Sequence, residues 1–328
     1  MTTLHEVLIH KRKDIKPIWF MRQAGRYLPE YRVLNNLNFM DKVTNSNLVT
    51  EITLQPVQRY DLDAAIIFSD ILLIPWAMGQ DLEFSSQGPQ LGEFKEKIFF
   101  DTPDSQFTKK LLCVYDGIVK TRRRLSTEKS LIGFVAAPYT LMHYMFDPHT
   151  LDLQLKHMDA VRHRLTHQII QHVVAQIQAG ADVIQIFDSH AGELLDQEVE
   201  DWCIKPHTQI IDHIKEKFPH VPVISFAKGL KPAQLVKFAE QVQPHGLSID
   251  YTQDPAYIST MLPNQPIQGG LDPKILLGNE KHMLESAKKY ITAFKDHPYV
   301  FNLGHGILKQ TKPITVQKLI AAVREWSK

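Results

Sequence analysis

Two arginines, Arg22 and Arg26, follow directly on an apolar run, Pro17-Ile18-Trp19-Phe20-Met21, and are separated by Gln23-Ala24-Gly25. An apolar, aromatic run of this length reads as a buried strand. Guanidinium groups at its end would stand beside a low-dielectric core, where a fixed positive charge attracts anions strongly. Gly25 lets the backbone turn or come close to a ligand. The chemistry this suggests is a carboxylate or phosphate clamp. The plainer alternative is a solvated helix face bridging to acids.

Further polar groups end other apolar runs. They are Ser69-Asp70, Thr140 with Tyr144 one helical turn on, Asp188-Ser189-His190-Ala191-Gly192, Lys228-Gly229, Asp250-Tyr251-Thr252, Gly269-Gly270-Leu271-Asp272-Pro273 and Gly304-His305-Gly306. Each has an ordinary structural reading beside the functional one. Asp70, Asp188 and Ser189 stand where helix caps would, and Asp272 before Pro273 fits a cap better than a ligand. Tyr144 fits a helix rim, and Lys228 an ordinary loop charge. His305, between two glycines directly after a strand, has no helix to pack and is the stronger functional candidate. His163 and His167 have metal-ligand spacing on a helix, but Arg164 stands where a His-Glu-x-x-His site needs glutamate. They fit a solvated face.

The elements that must position these groups form a rhythm. Eight β-rich runs recur: Pro17–Met21, Ala64–Phe68, Leu131–Val135, Asp182–Phe187, Val221–Phe226, Gly246–Ile249, Gln265–Ile267 and Tyr299–Asn302. Helical spacing of apolar residues fills several intervals, notably Met158–Ala179, Pro232–Gln243 and Lys281–Lys295. Near-continuous apolar strands alternating with amphipathic helices predict a parallel sheet covered on both faces. Eight such units predict an α/β chain folded as one (β/α)8 TIM barrel, a single domain over residues 1–328, with the excess length in residues 76–125. A doubly wound open sheet is the competing architecture. Against it, no Gly-x-Gly-x-x-Gly follows the first strand. In a barrel, catalytic groups come from the C-terminal ends of strands, where the polar groups that end the apolar runs stand.

Bulk properties exclude several function classes. The 328 residues are 44% hydrophobic and 22% charged, with a formal net charge of +1. No global field favours nucleic acid or a membrane, so anion binding must be local. No apolar run is long enough to span a bilayer. Cys113 and Cys203 lie far apart in sequence and form no disulfide framework or metal cage, which fits a reduced, cytoplasmic protein.

The segments MRQAGRYLPEYR, AAIIFSDIL, GFVAAPYTLMHYM, IQIFDSHAGEL, QGGLDP and FNLGHGIL, in this order, closely resemble the uroporphyrinogen decarboxylase family, from about residue 4 to 326. The resemblance implies a homodimeric (β/α)8 barrel with no metal or organic cofactor. The implied reaction converts the four acetate side chains of uroporphyrinogen III to methyls, giving coproporphyrinogen III. Carried over by motif, the substrate-binding residues are Arg22, Gln23, Ala24, Gly25, Arg26, Asp70, Tyr144, Ser189 and His305. Of these, Asp70, Arg22, Arg26 and Tyr144 are the expected catalytic set. His190 (for tryptophan), Phe146-Asp147-Pro148-His149 (for a glycine-rich turn) and Lys309 (for proline) depart from the family's usual pattern.

This chemistry suits those residues. Arginine binds carboxylates bidentately and never loses its charge. His305 would add a donor, more strongly if protonated. Protonating the pyrrole carbon beside an acetate makes the ring cationic, and loss of CO2 neutralises it. Asp70 against the pyrrole nitrogens would stabilise that cation more than the neutral ground state. The proton donor stays open between an arginine, Tyr144 and a bound water. Two other functions compete with this reading. A zinc- or cobalamin-dependent methyltransferase of the same barrel superfamily needs a thiolate site, for which neither cysteine has a sequence partner. A non-catalytic porphyrin-binding barrel would lack the polar groups at the matched positions, and all are present.

Overall fold

A computed structural model describes residues 1–85, 88–146 and 158–327. β1 (Ala64–Ile66) is followed by an antiparallel pair, β2 (Leu82–Ser85) and β3 (Gly88–Leu91), and then by β4 (Ser130–Ala136), β5 (Val183–Asp188), β6 (Val223–Ala227), β7 (Gly246–Ile249), β8 (Ile267–Gly269) and β9 (Tyr299–Val300). Apart from the β2–β3 pair, all are parallel neighbours in one sheet of order β1-β4-β5-β6-β7-β8-β9. Their residues are almost all buried, as strands covered on both faces require.

The predicted first strand, Pro17–Met21, is reduced to a single parallel bridge between Ile18 and Phe301. It still closes the ring. The Phe301 N–H donates to Pro17 O (2.8 Å), and the Asp63 N–H, leading into β1, donates to Ile18 O (2.8 Å). The ladder is short because side chains take the donors a neighbouring strand would use. Ile18 N–H goes to Asp63 Oδ2 (2.6 Å), Phe20 N–H to Gln23 Oε1 (3.1 Å) and Met21 N–H to Asn302 Oδ1 (3.1 Å). Pro17 has no N–H to give.

Other strands shift by one or two residues. β1 ends early because Phe68 N–H is diverted to Thr53 Oγ1 of the helix Ser46–Arg59 (2.9 Å). The predicted Gln265–Ile267 strand starts later, since Gln265 N–H closes a turn on Leu262 O and Pro266 has no donor. The helices Asp159–Gln178, Pro232–Val242 and Glu280–Ala293 lie within one or two residues of their predicted bounds. The excess length holds the β2–β3 pair and two short helices, Glu96–Asp101 and Asp104–Lys110, but the next helix, Leu112–Arg124, belongs to the barrel cover, packed on Ser46–Arg59.

The barrel interior has its own packing. Trp19, Met21, Ala64, Ile66, Ile132, Val183, Ile224, Phe226 and Val300 form one cluster with Leu4, Val7 and Leu8 of the N-terminal helix Thr3–Leu8. That helix plugs the barrel's lower end. Above it, Trp19 Nε1–H donates to Gln268 Oε1 (2.8 Å), and the Gln268 amide donates to Gln185 Oε1 (2.9 Å) and Ser248 Oγ (3.1 Å). All four residues are buried. Their polar atoms satisfy one another, so the floor beneath the mouth is dry and fixed.

Candidate active site

Parallel strands place every C-terminal end at one mouth. The loop after the closing segment carries Arg22 and Arg26, both exposed. Arg22 adopts a left-handed backbone, φ 57°, a strained conformation of the kind that collects at functional sites. Its side chain lies against the Gly304-His305-Gly306 turn. A Cβ on Gly306 would meet Arg22 Cδ at 2.4 Å, so only glycine leaves room there. Among the described residues, neither arginine has an acidic partner within ion-pair distance, and no acceptor holds the N–H groups of Ala24, Gly25 or Arg26. Lys42, itself buried beside Arg26, adds to the positive field and has its ammonium over the Tyr31 ring.

Gln23 is different from its neighbours. Its side chain is fully buried, accepting from Phe20 N–H and donating to Ala64 O (3.0 Å), while Tyr27 O–H donates to its carbonyl. The side chain has no exposed surface. It fastens the arginine loop to the base of β1.

Asp70 stands four residues past β1. Its Oδ1 accepts the Leu72 N–H (2.9 Å), which closes a turn ahead of the helix Leu73–Ala77 without capping it, since Leu72 itself holds the cap position. Its Oδ2 has no hydrogen-bond partner among the described residues. Asp70 keeps an edge open to the mouth, yet burial pushes its carboxyl up to about 6, against the Leu72 N–H and the nearby Arg22 charge. Asp272 is an ordinary cap, accepting from Lys274 N–H (2.8 Å).

Tyr144 sits on the helix Pro138–Met145, with 37% of its surface exposed. Burial raises its phenol above the usual range; Arg22 opposes this, and Asp70 and Glu193 reinforce it. These influences place Tyr144, Arg22 and Asp70 at one locus. Thr140, a turn earlier, donates from Oγ1 to Asp188 Oδ1 (2.6 Å) and accepts from His190 N–H (3.3 Å). The tyrosine helix, the end of β5 and the Ser189-His190 turn are thereby tied together. Ser189 is half-buried, and its hydroxyl has no partner among the described residues. The turn packs tightly on the next loop, because a Cβ on Gly192 would meet Gly229 O at 2.4 Å.

His305 corrects one expectation. Its Nδ1 accepts the Gly306 N–H (2.7 Å), so the proton of the neutral ring is on Nε2. Burial, followed by the Arg22 and Lys228 charges, lowers its pKa to about 4, with Asp250 opposing. At neutral pH in the free protein it is therefore a neutral donor, not an imidazolium. Lys228, at the end of β6, is thus close enough to act on the site, although its sequence context suggested only a loop charge.

Two further clusters could not be read from the sequence. His143 and His190 share Glu193 at the rim. Cys203, expected to lack partners, lies buried with Asp188 and His207, their ligand-type atoms all within 4.8 Å. Folding brings β5 to the helix start that carries Cys203, a proximity with no spacing signal. Burial and the Asp188 carboxylate hold the Cys203 thiol well above its usual range, so it is a neutral thiol. His163 and His167 are exposed, and His167 pairs with Asp104 (2.7 Å), as a solvated face should. Asp147-Pro148-His149 lies outside the described residues.

Comparison with known proteins agrees along the whole chain. The profile of the family described as uroporphyrinogen decarboxylase (URO-D) matches residues 1–326. A uroporphyrinogen decarboxylase of Erythrobacter litoralis is 38% identical, covering 99% of both chains. Those of Wolbachia pipientis wMel and Novosphingobium aromaticivorans are 40% and 37% identical, covering 94% and 95% of each chain. Among solved structures, a methyltransferase from Methanosarcina mazei superposes with a TM-score of 0.82 over 100% of both chains. At 17% identity it shows a shared fold only.

Proposed function

The chain belongs to the uroporphyrinogen decarboxylase family, and we propose that its barrel mouth performs that reaction with Asp70 as the electrostatic centre and Arg22 and Arg26 as the carboxylate clamp. The activity is that of a carboxy-lyase: the four acetates of uroporphyrinogen III become methyls, giving coproporphyrinogen III. One observation carries the assignment of roles. Among the described residues, a carboxylate tethered by one oxygen and otherwise unclaimed stands by a loop whose two guanidinia have no acidic partner.

The substrate has the complementary pattern, a rim of carboxylates around four pyrrole N–H groups. Arg22, Arg26 and the free amides of Ala24, Gly25 and Arg26 receive rim carboxylates, each charge-assisted bond contributing roughly 1.5–3 kcal/mol. Asp70 Oδ2 accepts from the pyrrole nitrogens. Its raised pKa marks a carboxylate short of positive partners, and a pyrrole cation supplies one. Attraction therefore grows as the ring becomes cationic, which lowers the barrier rather than merely tightening binding. Gln23 holds the arginine loop, Tyr144 and Ser189 anchor polar groups at the rim, and neutral His305 donates from Nε2. The proposal includes a single (β/α)8 domain over residues 1–328, a homodimer and a cytoplasmic location, and uses no metal or organic cofactor. No helix among the described residues is long and apolar enough to cross a membrane.

Anaerobic incubation with uroporphyrinogen III tests this reading. Products with seven, six, five and finally four carboxylates are expected by chromatography of the oxidised porphyrins. Persistence of the eight-carboxylate compound alone would reject it.

A further inference from the structure

Glu193 follows β5 by five residues and holds two imidazoles at once. Its Oε1 lies 2.7 Å from His190 Nδ1 and its Oε2 lies 3.2 Å from His143 Nδ1. The rings are stacked, with centroids 3.7 Å apart and planes 15° from parallel. Tyr144 meets both edge to face, at 5.4 Å from His190 and 6.0 Å from His143. Both histidine side chains are 19% exposed, while Glu193 is 53% exposed. The cluster thus bridges the mouth and bulk water.

An ionised carboxylate only accepts hydrogen bonds, so both Nδ1 atoms carry protons. This leaves Nε2 of His190 as the ring atom that takes up and gives a proton. A divalent ion fits poorly. It would have to lie in the plane of each ligating ring, and nearly parallel planes at this spacing do not meet within bonding distance.

The reaction needs such a supply. Protonation of a pyrrole carbon makes the ring cationic; the bond to the carboxylate then breaks, and its electron pair neutralises the ring and leaves an exocyclic methylene. The methylene carbon takes a proton to become methyl, and the pyrrole carbon gives its proton back. Each round consumes one proton and releases one CO2, so the donor must be reloaded from solvent four times per substrate. The other described groups at the mouth serve this poorly. Arginine does not release its proton, His305 is a neutral ring, and Asp70 is required as an anion. Burial, with Asp70 and Glu193 nearby, raises the Tyr144 phenol and so makes it a weaker acid.

We infer that the stacked His143–His190 pair, clamped by Glu193, is the proton supply for decarboxylation, with His190 Nε2–H as donor and solvent reloading the pair. This rests on the decarboxylase reading of the mouth. Among the described residues, the charged and titratable groups facing His190 are Glu193, His143, Tyr144 and His305, and beyond them lie Arg22, Asp70 and Lys228.

Steady-state decarboxylation by wild type, His190→Gln and Glu193→Gln, measured across the pH range, tests the inference. His190→Gln is expected to lower kcat by about 10²-fold with KM little changed, as loss of a general acid does, and free imidazole should restore part of the rate. Glu193→Gln should also lower kcat with KM little changed, since it removes the carboxylate that orients both rings. Unchanged kcat in His190→Gln, a loss confined to KM, failure of imidazole to rescue, or unchanged kcat in Glu193→Gln each overturns it. Absence of product from wild type would instead overturn the decarboxylase reading.

Discussion

Asp70 stores an electrostatic deficit. One oxygen is held by an amide and the other is unpaired, in surroundings that favour the neutral acid. The rise from 3.8 to about 6 corresponds to roughly 3 kcal/mol as an upper bound. The sign follows from linkage. A carboxyl raised in the fold adds stability below its unfolded pKa and loses it as pH climbs through the folded value. At pH 7.5 the ionised group therefore destabilises the free protein, and Asp70→Asn should raise Tm while removing activity. A lower Tm on thermal unfolding would contradict this. Arg26 has the opposite character: exposed, without an acidic partner and with no structural bond to lose. Arg26→Ala should raise KM about tenfold or more, given charge-assisted bonds of roughly 1.5–3 kcal/mol, with Tm unchanged. A KM near wild type would remove Arg26 from the clamp.

At the scale of elements, the arginine loop is only as well placed as the segment before it. Ile18–Met21 is secured largely by side chains, and Asp63 is central, accepting from Ile18 N–H (2.6 Å) and from Arg324 Nη2 (2.7 Å). Asp63→Ala leaves the partly buried Ile18 amide without its acceptor, while Arg324 keeps Asp61, a loss of about 1–3 kcal/mol. It should lower Tm and also raise KM, because the loop carrying Arg22 loses its footing. A drop in Tm with no change in KM would mean that the loop is held independently. This segment also marks the limit of sequence reading. Its apolar run located the barrel position but concealed that Asp63, Gln23 and Asn302 replace ladder partners, since a single side-chain acceptor leaves no periodicity. The strand Gly246–Ile249 was legible as it stands. At the site, residues in contiguous motifs were legible, whereas His143, Glu193 and the Cys203 environment depend on neighbours brought in by folding.

For the whole molecule, buried titratable groups set the response to acid. Burial lowers His172 to about 3 and His245 and His305 to about 4, with Lys215 adding to the effect at His245 and Arg22 and Lys228 at His305. Their neutral forms are favoured in the fold, so their contribution is complete above 6.5 and is lost as pH falls from there toward 4. Asp70 and Asp182, both raised to about 6 chiefly by burial, act in the other direction between 3.8 and 6. Three histidines outweigh two aspartates, and only the histidines act just below 6.5. Tm should fall between pH 7 and pH 5, by roughly 1.4 kcal/mol of stability per pH unit for each net proton taken up on unfolding. A Tm that is flat or rises over this interval would show that the aspartates dominate.

The proposed mechanism converges on one carboxylate. In a single turnover with Asp70→Asn saturated by uroporphyrinogen III under anaerobic conditions, CO2 release should slow by about 10²–10³-fold, the usual loss when a preorganised electrostatic partner is removed, while the substrate dissociation constant changes only severalfold. CO2 release at close to the wild-type rate from a fully occupied Asp70→Asn protein would contradict the account.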